Sequence, residues 1–164
     1  MTVDDRQREE RPTVRVGGLV LVEGRVLLLR QERGEEDYWM LPGGGVRMGE
    51  TLADALRREV REEVGLEIAV GRPLALLESI SPDLEAYSKH VVHVILAGEV
   101  SGAELADATV APFALAVHDS RVLAARLFAP GEIEPLAMRP PIHDLLLDCF
   151  KRLPTAMVYL GSRW

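Results

Sequence analysis

The run LPGGGVRMGETLADALRREVREEVGLE, residues 41–67, places three consecutive glycines just ahead of Glu59, Glu62 and Glu63. On a helix advancing about 100° per residue, Glu59 and Glu63 lie one turn apart and Glu62 is three residues from Glu59. The three carboxylates then share one face, at the border of an apolar arc of Leu52, Ala53, Leu56, Val60 and Val64. Like charges at these spacings cost a few tenths of a kcal/mol per pair, on the order of 0.2–0.5, so some positive partner is called for. Arg58, four residues before Glu62, offsets part of the repulsion. A divalent cation offsets far more, and hard ions such as Mg²⁺ select carboxylate, carbonyl and water oxygens. The glycines allow close backbone approach, and the Gly43 carbonyl is the expected further donor. Mg²⁺ held by only a few protein oxygens keeps positions for phosphate oxygens and water, which is the chemistry of phosphate ester or anhydride hydrolysis. The competing reading is a solvated helix face laced with salt bridges.

The surrounding sequence must supply elements that hold this face. Leu52 to Val64 repeats at helical spacing, with Thr51 as N-cap and Gly65 as a left-handed stop. Upstream, TVRVGGLVLVEGRVLLLRQE reads as two strands joined through Glu23-Gly24. The unbroken apolar stretch from Val26 to Leu29 predicts a strand covered on both faces, hence helices on each side of a sheet. RGEEDYWMLPGGGVRMGE reads as a loop by its glycines and Pro42, anchored by Trp39 and Leu41. LEIAV, PLALLESIS, HVVHVILAGEV and RVLAARLFAP read as strands, and PPIHDLLLDCFKRL as a second helix. The order β-β-α-β-β-β-α predicts an α/β fold with a mixed β-sheet between helices. Residues 1–12 are charged and aperiodic and are expected to form a mobile arm, with one domain over 13–164.

With this order in hand the spacing can be compared with known motifs. Gly44, five residues, Glu50, seven residues, Arg58-Glu59-Val60, one residue, Glu62-Glu63, one residue, Gly65-Leu66: this resembles the Nudix box at every fixed position, and YWMLPGG resembles the family's lead-in. The resemblance implies the Nudix α/β/α sandwich and metal-dependent hydrolysis of a nucleoside diphosphate linked to another moiety. It implies that Glu59, Glu62 and Glu63 hold the metal, joined by the Gly43 carbonyl, and that Arg58, paired with Glu50, orients the catalytic glutamates. Glu59 is the expected base, with Glu62 beside it. Some family members use a carboxylate from a later loop, for which Asp83, Glu85, Glu99, Glu104 and Asp107 are candidates, each also readable as a solvated loop charge. Mg²⁺ is the implied cofactor, with Mn²⁺ an alternative.

The box leaves the substrate open. Pro82, sixteen residues after Leu66, resembles the pattern of ADP-ribose pyrophosphatases, while Tyr87 lies too far along for the tyrosine spacing of diadenosine polyphosphate hydrolases. ADP-ribose or a nucleotide sugar is therefore the expected substrate. The alternatives are nucleoside triphosphates, dinucleoside polyphosphates, or a non-catalytic nucleotide-sensing module. Arg30, Trp39, Gly44, Pro82 and Tyr87 are the expected substrate contacts, with Trp39, Tyr87 and Phe113 as stacking surfaces for a base. His90 and His93, three apart on a strand, point to opposite faces.

Composition narrows the partners. A formal net charge of −7 with 27% charged residues disfavours a general grip on nucleic acid, which needs clustered Lys and Arg. Without a basic groove or an added domain, an RNA-directed hydrolase is disfavoured too. The lone Cys149 excludes an intrachain disulfide and reads as a buried structural thiol. No apolar run approaches the roughly 18 residues of a membrane span, and the polar N-terminus lacks a signal peptide's character. No membrane partner and a cytoplasmic location are expected. The apolar AMVYLG near the C-terminus is expected to pack on the body or on a second copy, giving a homodimer.

Overall fold

The computed structural model describes residues 11–82 and 89–164. The order is β1 (Thr13–Val22), β2 (Arg25–Arg33), β3 (Glu36–Met40), β4 (Gly43–Gly45), α1 (Leu52–Val64), β5 (Ile68–Ile80), β6 (His90–Val100), α2 (Gly102–Ala108), β7 (Thr109–Ala111), β8 (Ala114–Leu115), β9 (Ala124–Phe128), α3 (His143–Lys151) and β10 (Val158–Ser162). The strands run β10-β5-β6-β1-β2-β9-β8-β7, with β3 on β2 and β4 on β1. The β1/β6 and β10/β5 pairs are parallel and the others antiparallel, so the sheet is mixed. Expected strands LEIAV and PLALLESIS are one strand, β5, irregular between Val70 and Ala75.

Alternation along β1 and β2 sends side chains to both faces, and each face is covered. Val16, Val20, Leu27 and Leu29 pack under Ala55, Leu56, Val60 and Val64 of α1. Leu19, Val26, Leu28, Leu77 and Ile95 pack under Leu145, Leu146 and Cys149 of α3. That double cover is why VLLL is apolar without interruption. Burying a Leu of this kind contributes about 1.5–3 kcal/mol.

Helix α1 begins where Thr51 accepts from Asp54 N at 3.1 Å and ends at Gly65 in the left-handed conformation. Its apolar stripe corrects the expected one: Ala55, not Ala53, is buried, and Glu59 and Glu63 are buried with it. The expected loop before α1 also holds two strands, β3 and β4. Glycine propensity hid β4, which forms because its backbone pairs with β1 at Arg15↔Gly45, Val16↔Gly44 and Gly17↔Gly43. Strands β1 and β2 pair only at Leu21↔Val26 and Val22↔Arg25. Beyond that point the two halves of the sheet part, and β4 takes the place beside β1. The apolar tail packs on the body as β10, beside β5.

Candidate active site

The glycine run and α1 meet at one edge. Gly43 N–H donates to Glu63 Oε2 at 2.9 Å, and a Cβ on Gly44 would overlap the Glu59 carboxylate. A glycine at 44 therefore makes room for a glutamate, which is a different role from the substrate contact expected of it. Gly43 has φ of 141°, and a Cβ there would overlap the Val16 carbonyl. Only glycine fits that conformation without strain.

Arg58 ties the face together. Its Nε and Nη2 fork onto Glu50 at 2.7 and 3.0 Å, Nη1 reaches Glu59 Oε1 at 2.6 Å, and Nη2 also donates to the Gly45 carbonyl at 3.0 Å. Glu50 in turn accepts from Arg47 N–H at 3.0 Å. The Arg58 fork, helped by that N–H, holds the Glu50 carboxyl down to about 2.

The three glutamates are not equivalent. Glu63 is 3% and Glu59 8% exposed, whereas the Glu62 side chain is 44% exposed, with Arg58 at 3.5 Å and Arg47 at 3.7 Å. The expected tight trio is thus a buried pair with a third carboxylate on the rim, and among the described residues no three acidic or histidine side chains converge on one point. Burial pushes the Glu63 carboxyl up to about 8, with the Glu59 and Asp119 charges adding to the rise and the Gly43 N–H and Arg15 opposing it. The donor set fits a hard divalent cation: it is all oxygen, two of its carboxylates are buried one helical turn apart, and the glycine backbone lets the Glu59 carboxylate lie directly against it. Glu59, Glu62, Glu63 and the Gly43 carbonyl would hold such an ion.

A cleft of about 470 Å³ opens where the two halves of the sheet part. One wall carries Arg15, Ser79 and His93; the other carries Gln31, Arg33, Tyr38, Met40 and Arg139, with Lys89 and Trp164 at the rim. Several expected substrate residues do not line it. Arg30 alternates with the lining residues Gln31 and Arg33 and so faces away, 3.9 Å from Asp37. Trp39 packs edge-on to Phe128, centroids 4.6 Å apart, on the α3 side of the sheet. Phe113 lies under the Arg25 guanidinium. Pro82 is exposed and outside the lining. Tyr87, Asp83 and Glu85 lie outside the described residues, as do the first ten residues of the expected arm.

Of the remaining loop carboxylates, Glu99 pairs across from Ala69 at the far end of β6, and Glu104 and Asp107 sit on α2, beside a separate groove with Leu21 and Val100. The loop carboxylate whose charge acts on Glu63, after that of Glu59, is Asp119, which no sequence signal singles out. The segment carrying it is pinned by His118 N–H donating to the Glu63 carbonyl at 2.8 Å, and Asp119 is gripped by Arg121 Nη2 at 2.6 Å. No periodicity marks Asp119. Arg15 was missed as well; its strand position predicted only a place in a sheet.

The family model for the NUDIX domain matches residues 11–149. Over 95 residues the chain is 34% identical to an ADP-ribose pyrophosphatase of Methanocaldococcus jannaschii, covering 57% of this chain and 54% of that one. Over 44 residues it is 57% identical to an RNA pyrophosphohydrolase of Halorhodospira halophila, covering 27% and 23%. The matches thus span about half or less of these curated relatives. In three dimensions the chain resembles a crystal structure of an ADP-ribose pyrophosphatase from Streptococcus suis, with a TM-score of 0.65 at 20% identity over 91% of this chain and 99% of that one, a likeness of fold. With a family match across most of its length, a complete box, and a mixed sheet between helices that places the box glutamates against the glycine strand, the chain belongs to the Nudix family and has its α/β fold.

Proposed function

We propose that the protein is a divalent-cation-dependent pyrophosphohydrolase acting on a nucleoside diphosphate linked to another moiety, with ADP-ribose or a nucleotide sugar as substrate and Mg²⁺ as the ion. The observation that carries this reading is the Arg58 fork, which fixes Glu50 and Glu59 together on the helix that buries Glu63, with Arg15 linking the adjoining Gly43 carbonyl to a cationic cleft. The named relative and the structural neighbour called ADP-ribose pyrophosphatases support the substrate class.

A divalent ion bound there supplies charge stabilisation of the phosphoryl oxygens and a water of lowered pKa. The chain's own residues do the rest. Arg58 takes Oε1 of Glu59, and Oε2 is the oxygen assigned to receive the water's proton. The water oxygen bonds to phosphorus as the bridging P–O bond breaks, giving two phosphomonoesters. Glu50 anchors Arg58 so that Glu59 stays aimed. Asp119 takes the place reserved for a loop carboxylate.

A second reading, removal of pyrophosphate from a 5′-triphosphorylated RNA end, draws on one observation that composition concealed: Arg15, Arg33, Lys89 and Arg139 line the cleft, and among the described residues no Asp or Glu does. Exposed Met157, just before β10, and Val158 and Tyr159 in it are the proposed homodimer contact, which light scattering tests.

The deciding experiment is a panel of ADP-ribose, nucleotide sugars, dinucleoside polyphosphates, triphosphates and 5′-triphosphorylated RNA with Mg²⁺ or Mn²⁺, products identified. AMP and ribose 5-phosphate from ADP-ribose are expected. Pyrophosphate release from RNA would favour the second reading, and no hydrolysis under any condition would reject both in favour of a sensing module.

A further inference from the structure

The carbonyl expected to complete a metal's shell already has a cationic partner. Arg15 Nη2 donates to Gly43 O at 2.5 Å; burial holds the guanidinium below its ordinary value, and the charges of Glu63 and Glu59 oppose that shift. Its position follows from register: Arg15 stands opposite Gly45 on one side and His93 on the other, so its side chain leaves β1 where β4 begins. The same side chain borders the 470 Å³ cleft, together with Tyr38, His93 and Arg139. It therefore touches both the glutamate edge and the cleft.

We propose that Arg15 is a resident cation of this site: with no metal bound it holds the Gly43 carbonyl beside Glu59 and Glu63, and on metal entry it turns into the cleft to grip a substrate phosphate oxygen. Two positive charges cannot share the Gly43 oxygen at low cost, because the repulsion between neighbouring cations grows as the local dielectric falls. A guanidinium displaced from that oxygen leaves donors to satisfy, and a phosphate matches its fork. His93, the neighbour of Arg15 on that wall, adds no positive charge, since burial and the Arg15 charge hold its imidazole down to about 4 and thus neutral, and a bound phosphate would offset the charges of Arg33, Lys89 and Arg139. The exchange would keep the carboxylate pair neutralised before the metal arrives and make substrate contact conditional on metal. Its first half concerns metal binding alone; its second half rests on the pyrophosphohydrolase reading.

The test uses Arg15→Met and the whole chain. With Mn²⁺ alone as probe, followed by calorimetry or by the spin signal of free ion, the variant should bind the ion about tenfold more tightly than the unsubstituted protein, because a competing charge is gone. Binding of a non-hydrolysable α,β-methylene analogue of ADP in saturating Mg²⁺, read by tryptophan fluorescence, should weaken about tenfold, as for loss of a charged hydrogen bond. A residue that only supports the fold would change the melting temperature and leave the Mn²⁺ affinity alone. Unchanged or weaker Mn²⁺ binding in a folded variant overturns the first half, and unchanged analogue binding overturns the second.

Should the variant not fold, the unsubstituted protein decides. Its Arg15 guanidinium ¹⁵N–H signals should shift on Mg²⁺ addition, and signals unmoved at saturating Mg²⁺ overturn the exchange. If the analogue binds neither protein, the hydrolase reading is what fails, while the Mn²⁺ comparison still decides the competition.

Discussion

The two faces of the sheet are covered by helices of similar design, yet they bury different things. Under α3 the buried cluster is apolar apart from the Cys149 thiol, which burial pushes up to about 11 and so keeps neutral. Helix α1 instead buries Glu59 and Glu63 within its apolar stripe. Packing alone gives no reason to bury two carboxylates one helical turn apart, since each carries a desolvation cost that a leucine would not. Where a fold departs from its own packing rule, function is the physical explanation to test first.

The contrast can be broken most forcefully at α1. Glu59→Gln and Glu63→Gln should each lower turnover by at least about 100-fold, the scale of losing a positioned charge or base in a reaction centre, while circular dichroism stays native; unchanged rates in both would remove the chemical distinction between the faces. On the other face, Leu146→Ala should cost about 2–5 kcal/mol of stability in denaturant unfolding, with kcat held within about twofold below the transition. A large loss of kcat there would mean α3 is more than a cover. Gly44→Ala asks whether the edge tolerates any side chain: the added methyl displaces the Glu59 carboxylate, and kcat should fall about tenfold or more with stability nearly unchanged.

The smallest effect concerns pH. His93 titrates near 4 in the fold and near its ordinary 6.5 when unfolded, so between those values the unfolded chain binds more protons. Its contribution to stability is present above pH 6.5 and is lost as pH falls through about 4. His93→Gln should therefore flatten the fall in melting temperature across that interval. An unaltered profile would show that the cleft wall does not hold His93 neutral.

How much was legible depends on how local each feature is. Thr51, Gly65 and the helical repeat between them marked α1 almost to the residue, because capping and periodicity act within one turn. The double-covered strand was readable from VLLL. Strand β4 was not, since three glycines have poor intrinsic strand preference and form one only because β1 offers a ladder. The direction Arg30 takes is a matter of parity: Gln31 and Arg33 face the cleft, and a period of two sends Arg30 away from it. Trp39, expected both as a loop anchor and as a stacking surface, is a half-buried ring packed edge-on against Phe128.

What the sequence determined by itself was the family and the box, with its helix, its glycines and the Arg58, Glu50 and Glu59 spacing. All of these lie within 23 consecutive residues, where helical geometry converts spacing into proximity. The tertiary structure alone decided which glutamates are buried, and it brought Arg15, His93, Arg139 and Trp164 to one cleft and set Asp119 within electrostatic reach of Glu63. Those residues come from separate strands and loops, and only the register of β1 against β4 and β6, and the parting of β1 from β2, fixes where they meet.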